Sequence, residues 1–232
     1  MAVTHAGVLV ALDWEAAVFS VGRAQDSSLL LETTGPGADA ASAGAERALA
    51  RGASVLVSWG TAGALGPADP GDIVVPRTVC DESLVHFDTD AELSDRLALA
   101  FDRIAPLHRG GIASAASPMT TVDAKRALAA STGAFAVDME SAAIARVAAG
   151  AGVPMVAVRV VIDRSEQSVP AAAVAAMDGP RTRPGRVLAG LLKSPTDVGG
   201  LISLGLAAYR ARRTLAACAA KLPAALRRPG AA

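Results

Sequence analysis

The chain has 232 residues, of which 52% are hydrophobic and 3% aromatic, and its 22 acidic residues balance its 22 Lys and Arg residues. This length and composition predict one large domain with a core of small aliphatic side chains. The two cysteines and three histidines have no metal-ligand or redox spacing, so we expect neither a metal site nor a disulfide framework. The N-terminus lacks a signal-peptide pattern and no run of about twenty apolar residues occurs, so we expect an intracellular, cytoplasmic protein.

The neutral total hides an uneven distribution of charge. From residue 181 onward the chain carries ten Lys or Arg and one acid, whereas the remainder carries 12 basic and 21 acidic residues. We therefore divide the chain into a main domain, residues 1–180, and a basic, helical C-terminal extension, residues 181–232. A strongly basic tail on a neutral protein indicates contact with something anionic.

Apolar runs alternate with helical periodicity along the first 163 residues. Strands are predicted at residues 6–12, 29–33, 53–59, 71–76, 110–115, 135–137 and 153–162. Helices are predicted to begin at residue 16 and to span residues 38–51, 91–105, 122–130 and 141–150, with a loop at 81–90. This alternation is typical of an α/β fold, a three-layer α/β/α sandwich.

The segment after residue 163 is predicted to begin with a polar loop and to continue mainly as helix. The predicted parts are a loop at 164–168, a short helix at 169–177, a linker at 178–186, and helices at 187–192 and 201–215. The last helix carries three arginines near its end, at positions 210, 212 and 213. It fits either an amphipathic helix on anionic lipid or an ordinary helix packed on the sheet.

Two carboxylates, Asp138 and Glu140, lie among apolar residues where a predicted strand or loop enters the helix that begins at Ser141. A buried carboxylate must be paired or hydrogen-bonded, or its pKa must shift. Backbone N–H groups at a helix N-terminus offer one such environment. The residues alone leave two interpretations open: a binding site, or a helix cap beside a solvated carboxylate.

Acidic residues also follow the first and the last predicted strands. Glu15 and Asp163 would lie at carboxyl ends of strands, where α/β sheets bind ligands, although both also fit the start of a helix. The third strand runs into a Gly-rich turn at residues 60–66, whose Thr61 hydroxyl is suited to bind a sugar or an anion. This turn has neither the P-loop lysine nor dinucleotide-binding spacing.

Four segments, taken in order, resemble the nucleoside phosphorylase/nucleosidase superfamily, in particular its methylthioadenosine/adenosylhomocysteine nucleosidase branch. They are residues 11–15, residues 60–65 with 71–75, residues 137–140 and residues 159–163. The resemblance covers roughly residues 7–164 and implies a phosphorylase/hydrolase-like sandwich with a central mixed sheet. The tail from residue 178 to 210 is similar to the hopanoid-associated members often labelled phosphorylases.

This resemblance implies an enzyme that cleaves the purine N-ribosidic bond of an adenine nucleoside, adenosylhopane above all, and releases adenine in hopanoid biosynthesis. Asp163 would be the general acid that protonates purine N7, and Glu15 would activate water. Glu140 would accept hydrogen bonds from the ribose hydroxyls, with Met139 against the sugar and Thr61 near the nucleophile. The other candidate substrate-binding residues are Asp138, Gly63, Ser117, Met119 and Arg159.

Several residues depart from the pattern of the superfamily. Ile162 stands where a serine usually precedes the acid, and Asp138 replaces a more common glutamate. Ser58 occupies the place where phosphorylases of one branch carry an arginine, so hydrolysis is favoured over phosphorolysis. No cofactor is expected; phosphate would be the co-substrate of a phosphorylase. A nucleosidase for methylthioadenosine or adenosylhomocysteine, and a noncatalytic, membrane-associated nucleoside-binding protein, remain as alternatives.

The expected partners follow from the same resemblance and from the tail. The small-molecule ligand is an adenine nucleoside, lipid-linked if it is adenosylhopane, and the basic helix would touch the inner face of the membrane. Nucleic acid is not expected, because Tyr209 is the one aromatic residue in the extension. The superfamily implies a homodimer.

Overall fold

The computed structural model describes residues 5–22, 27–169 and 198–227. The strands of these residues are β1 (His5–Val10), β2 (Leu29–Thr33), β3 (Ala53–Ala64), β4 (Ile73–Val74), β5 (Thr78–Cys80), β6 (His86–Asp88), β7 (Leu107–His108), β8 (Ile112–Ser114), β9 (Ala136–Asp138) and β10 (Met155–Asp163). The helices are α1 (Asp13–Gly22), α2 (Ala38–Ala50), α3 (Ala91–Phe101), α4 (Val122–Thr132), α5 (Ser141–Ala151) and α6 (Val198–Leu226).

Strand β3 is the centre of the sheet. One edge of β3 pairs with β1 along its first half and with β9 at its end, and the other edge pairs with β10. Strands β2, β1, β3 and β10 run parallel, whereas β9 and β4 are antiparallel to their neighbours β3 and β10. The predicted mixed central sheet is confirmed.

Alternate residues of β3 enter different cores because successive side chains of a strand point to opposite faces. Val57 and Trp59 lie in the core that α1, α3 and α6 cover, and Leu56 and Ala62 lie in the core beneath α2 and α5. Strand β10 follows the same rule, with Val158 on the first face. The two helical layers therefore enclose the sheet, as the predicted three-layer sandwich requires.

Helix α6 is longer than the predicted helix at 201–215 and forms part of the first core. Ala211, Leu215, Cys218 and Leu222 are buried there against α1 and α3. The end of α6 is held by Arg96 of α3, whose guanidinium donates to the backbone oxygens of the last residues described. The division of the chain at residue 180 stays a prediction, because residues 170–197 lie outside the described residues.

Two local predictions are wrong. The predicted Gly-rich turn is strand as far as Ala64, because β10 and β9 pair with this segment from both edges. The predicted loop at 81–90 contains β6, which forms a hairpin with β5. The predicted elements at 169–177, 178–186 and 187–192 lie outside the described residues, apart from residue 169.

Candidate functional site

Three carboxylates and one guanidinium are buried together above the central strands. Arg159 and Glu15 are each 2% exposed, and Asp138 and Glu140 are also buried. Glu15 lies in the first turn of α1, directly after β1, while Asp138 ends β9 and Glu140 precedes α5. The sheet thus brings together acidic residues that are separated by more than a hundred positions in the sequence.

Glu15 is fixed by hydrogen bonds from the backbone and from Thr61. The backbone N–H and the hydroxyl of Thr61 both donate to Oε1 at 2.9 Å, and the backbone N–H of Leu12 donates to Oε2 at 3.3 Å. Burial raises the pKa of Glu15, although Arg159 and the Thr61 hydrogen bonds oppose the shift. Thr61 therefore orients the carboxylate that the sequence assigned to water activation.

Gly60 leaves the space in which Glu15 and Arg159 approach the strand. A Cβ atom at residue 60 would lie 2.5 Å from Arg159 Nη1 and 2.8 Å from Glu15 Oε1. Both distances are shorter than carbon–heteroatom contact allows, so a larger residue would displace the charged groups. Glycine is favoured here both by the close approach of these side chains and by the backbone, whose φ is 155°.

Arg159 is held mainly by Asp138 and by two serines. Its Nη2 lies 2.7 Å from Asp138 Oδ2 and donates to the hydroxyl oxygens of Ser58 at 2.7 Å and Ser141 at 3.2 Å. Asp138 also accepts from Ser114 at 2.6 Å. Burial disfavours the charge of Arg159, but the neighbouring carboxylates outweigh it and raise the pKa. Asp138 thus anchors Arg159, and its contact with substrate stays a prediction.

Glu140 connects α5 to the loop after β2. Its Oε1 accepts from the backbone N–H of Gly37 at 3.0 Å, and its Oε2 accepts from Met139 N at 3.3 Å and lies 3.5 Å from Arg159 Nη2. Burial raises the pKa of Glu140 to about 7; Arg159 opposes the shift and Asp138 adds to it. The half-buried Met139 lies beside this carboxylate.

Asp163 lies further along β10, opposite Gly63 of β3. A Cβ at residue 63 would be 3.3 Å from Asp163 Oδ1, so glycine gives this acid room as well. Burial raises the pKa of Asp163, whereas Lys125 lowers it. Gly63 lies two residues after Thr61, which binds Glu15, so Asp163 and Glu15 face nearby positions of β3.

Lys125 is the site residue that the sequence interpretation missed. It lies on α4, is 1% exposed, and donates to Asp163 Oδ2 and to the backbone oxygens of Arg164 at 2.6 Å and Gln167 at 2.8 Å. A signal was present, because Lys125 interrupts the apolar stripe that Val122 and Leu128 form at helical spacing. A lysine in that position is buried only if it is paired.

The loop after β8 lies beside the Asp163 segment. Ser117 is exposed, and Met119 is half-buried against a small apolar cluster that includes Leu65 and Val137. The backbone N–H of Val169 donates to the oxygen of Thr120 at 2.9 Å, so the loop and the segment after β10 are joined. This contact joins the loop that carries Ser117 and Met119 to the segment that follows Asp163; their role in substrate binding stays a prediction.

A sequence profile of the phosphorylase superfamily matches residues 14–193. The chain belongs to the phosphorylase superfamily. This membership confirms that the protein is an enzyme of the nucleosidase or nucleoside phosphorylase class, as its sequence predicts. Curated protein sequences include no significant match to it.

Solved structures with the same fold cover nearly all of this superfamily member. Helicobacter pylori 5'-methylthioadenosine/S-adenosyl homocysteine nucleosidase matches with a TM-score of 0.70 and 18% identity, over 94% of this chain and 97% of that chain. The Neisseria meningitidis nucleosidase in complex with methylthio-immucillin-A has a TM-score of 0.68 and 17% identity, over 93% and 98%. Native Helicobacter pylori futalosine hydrolase has a TM-score of 0.64 and 20% identity, over 87% and 97%. At these identities the likeness shows the fold.

In residues 5–22, 27–169 and 198–227, no group of three or more His, Cys, Asp or Glu side chains is arranged to hold a metal ion. Within the same ranges, no helix has both the length and the apolar character needed to cross a membrane.

Proposed function

We propose that this phosphorylase-superfamily protein hydrolyses the N-ribosidic bond of an adenine nucleoside and releases adenine. The observation that carries the proposal is a buried acid, Asp163, at the end of the strand whose Arg159 interacts with the buried carboxylates of Glu15, Asp138 and Glu140. Asp163 would donate a proton to purine N7 while the bond between C1' and N9 breaks and its electrons pass to the base. Glu15 would accept a proton from the water molecule that attacks C1'.

The carboxylate group at Glu15 and Glu140 suits the sugar in this reaction. The ribosyl fragment becomes positively charged as the base leaves, and buried carboxylates stabilise such a charge. Glu140 lies at the start of α5, where its oxygens can accept hydrogen bonds from ribose hydroxyls. Binding by Glu140 requires the ionised form, and its pKa of about 7 places that form in the neutral range.

The contacts of Arg159 favour water over phosphate as the nucleophile. Its Nη2 is already bound to Asp138, Ser58 and Ser141. A phosphate dianion near Thr61 would be repelled by the carboxylate of Glu15. This carboxylate already accepts hydrogen bonds from both the backbone N–H and the hydroxyl of Thr61. The arrangement offers little net positive charge for an anion, so we propose hydrolysis and make phosphorolysis an outcome of the test.

For the substrate we propose adenosylhopane, with a role in hopanoid biosynthesis, on the resemblance of the tail to hopanoid-associated members. Methylthioadenosine or adenosylhomocysteine is the second candidate, favoured by the near-complete overlap with two nucleosidases of that kind. A noncatalytic nucleoside-binding protein is disfavoured, because three carboxylates remain buried around one arginine.

We expect the full chain to release adenine from adenosylhopane in detergent at the same rate with and without phosphate. The measurement is chromatographic quantification of adenine, with adenosine and methylthioadenosine as comparison substrates and Asp163→Asn as the inactive control. Release that needs phosphate would overturn the assignment of Glu15 to water activation. Adenine release from methylthioadenosine alone would support the proposed reaction but would exclude adenosylhopane as the substrate.

A peripheral membrane contact through α6 is part of the same proposal, and so is a cytoplasmic location. Leu206 and Tyr209 are 59% and 60% exposed on α6, and Arg210 and Arg213 are exposed near them. Apolar and cationic side chains together favour an anionic lipid surface. The homodimer implied by the superfamily stays a prediction.

We expect the protein to sediment with vesicles that contain phosphatidylglycerol and not with purely zwitterionic vesicles. The variant Arg210→Gln/Arg213→Gln should sediment less, because each basic residue near an anionic surface contributes about 1 kcal/mol. Arg103→Gln/Arg126→Gln, which removes two exposed arginines elsewhere, is the control of equal charge. Equal recovery of all three proteins would exclude membrane binding through α6.

A further inference from the structure

The ionic pair between Lys125 and Asp163 joins α4 to the end of β10. Lys125 Nζ donates to Asp163 Oδ2 and to the backbone oxygens of Arg164 and Gln167. An ammonium group has three donors, so these three acceptors satisfy it completely. The three bonds also fix the position of Nζ relative to the carboxyl group.

The two oxygens of Asp163 are consequently not equivalent. Oδ2 accepts from Lys125, whereas Oδ1 accepts no hydrogen bond from any residue that the structure describes. An oxygen that accepts from an ammonium group is a poor site for a further proton, so protonation of this carboxyl group falls on Oδ1.

We propose that Lys125 is a positioning residue for Asp163: its ammonium group holds Oδ2 and so places the transferable proton of the acid on Oδ1. The inference rests on the proposed function, in which Asp163 donates a proton to the base. Lys125 touches neither the nucleoside nor the attacking water and acts through the carboxyl group alone.

The other side chains described near Asp163 do not position its carboxyl group. Ile162, the residue before the acid, has no polar side-chain atom. Arg164 turns its guanidinium outward, where Nε lies 2.5 Å from Asp69 Oδ1, and Glu166 accepts from Ser165 at the surface. Arg159 is bound to Asp138, away from Asp163. Within the described ranges, Lys125 is the one side chain that donates a hydrogen bond to Asp163.

The pH dependence of kcat/KM for adenine release distinguishes positioning from simple structural support. The acid must be protonated, so kcat/KM falls as the pH rises through the pKa of Asp163. Burial raises that pKa and Lys125 lowers it. Removal of Lys125 should therefore raise the pKa of Asp163 further. In Lys125→Met we expect the alkaline limb to move upward by about one to three pH units. Lys125→Arg should retain a limb close to that of the wild type.

The controls separate charge from folding. Lys221→Met replaces an exposed lysine on α6 and should give the wild-type profile. Lys125→Gln removes the charge but keeps amide donors for the two backbone oxygens, and it serves if Lys125→Met does not fold. A profile of the folded, uncharged variant that coincides with the wild-type profile would overturn the proposal, whatever the change in absolute rate.

A second readout does not depend on activity. Carbon-13 labelling of aspartate carboxyl groups, with Asp163→Asn to identify the signal, gives the titration midpoint of Asp163 directly. We expect a higher midpoint in Lys125→Met than in wild type, and an unchanged midpoint would refute the positioning role. A wild-type protein that releases no adenine from any nucleoside, yet shows the shifted midpoint, would overturn the proposed function while the control of Asp163 by Lys125 stands.

Discussion

Asp163→Asn is expected to lower kcat for adenine release by about 10²–10⁴-fold, the usual contribution of a general acid. An amide cannot supply the proton that makes the purine a good leaving group. Nucleoside binding should change little, because asparagine keeps an oxygen that can accept from Lys125. Steady-state kinetics together with calorimetric titration of a nonhydrolysable nucleoside would measure both quantities.

The substitution also leaves a buried lysine without its counterion. Removal of one partner of a buried ion pair costs about 3–5 kcal/mol, so thermal unfolding should be measured for each variant. The double variant Lys125→Met/Asp163→Asn removes both charges and should fold but remain inactive. Asp95→Asn, a change in an exposed carboxylate of α3, serves as the matched control. Wild-type turnover by the folded double variant would show that the acid lies elsewhere.

Glu15→Gln is expected to reduce hydrolysis by about 10²–10⁴-fold, through loss of the base that activates water. Glutamine keeps an oxygen that can accept from the backbone and hydroxyl of Thr61, so the fold and the affinity for nucleoside should be largely retained. Single-turnover measurement of adenine release without phosphate tests this expectation directly.

Glu32→Gln is a suitable comparison for Glu15→Gln. Glu32 lies on β2 and pairs with Arg47 and Arg51, which are half exposed at the surface, so its loss should leave turnover unchanged. Hydrolysis by Glu15→Gln at the wild-type rate would assign water activation to another group. Unchanged activity of both variants, together with phosphate-dependent release, would instead favour phosphorolysis.

In this site, each buried charge is stabilised by the particular charged groups next to it rather than by equal numbers of positive and negative groups. Arg159 lies among three carboxylates and binds one of them closely, whereas Lys125 forms its ion pair with Asp163. Burial raises the pKa of Glu15 and of Asp163, but the reaction needs the first ionised and the second protonated. The nearby cation at Arg159 and the hydrogen bonds from Thr61 support the ionised form of Glu15.

Local sequence patterns predicted the layers of the fold and the general place of the site. Apolar runs such as residues 6–12 and 153–162 predict strands covered on both faces, and the intervening helical periodicity places helices on each side. Because carboxyl ends of parallel strands share one edge of a sheet, the acids Glu15 and Asp163 were expected there. These inferences need only residues close together in the chain.

The contacts within the site depended on the tertiary structure. Lys125 meets Asp163 across 38 positions, and Arg159 meets Ser58 across 101. Gly60 and Gly63 lie in a strand because β10 and β9 pair with β3. The charged groups nearby occupy the space that a side chain at these two positions would fill. Local sequence patterns therefore predict which segments form the sandwich and which edge bears the acids. Which charges face each other depends on packing, because ion pairs join residues that are far apart in the chain and whose proximity no local periodicity encodes.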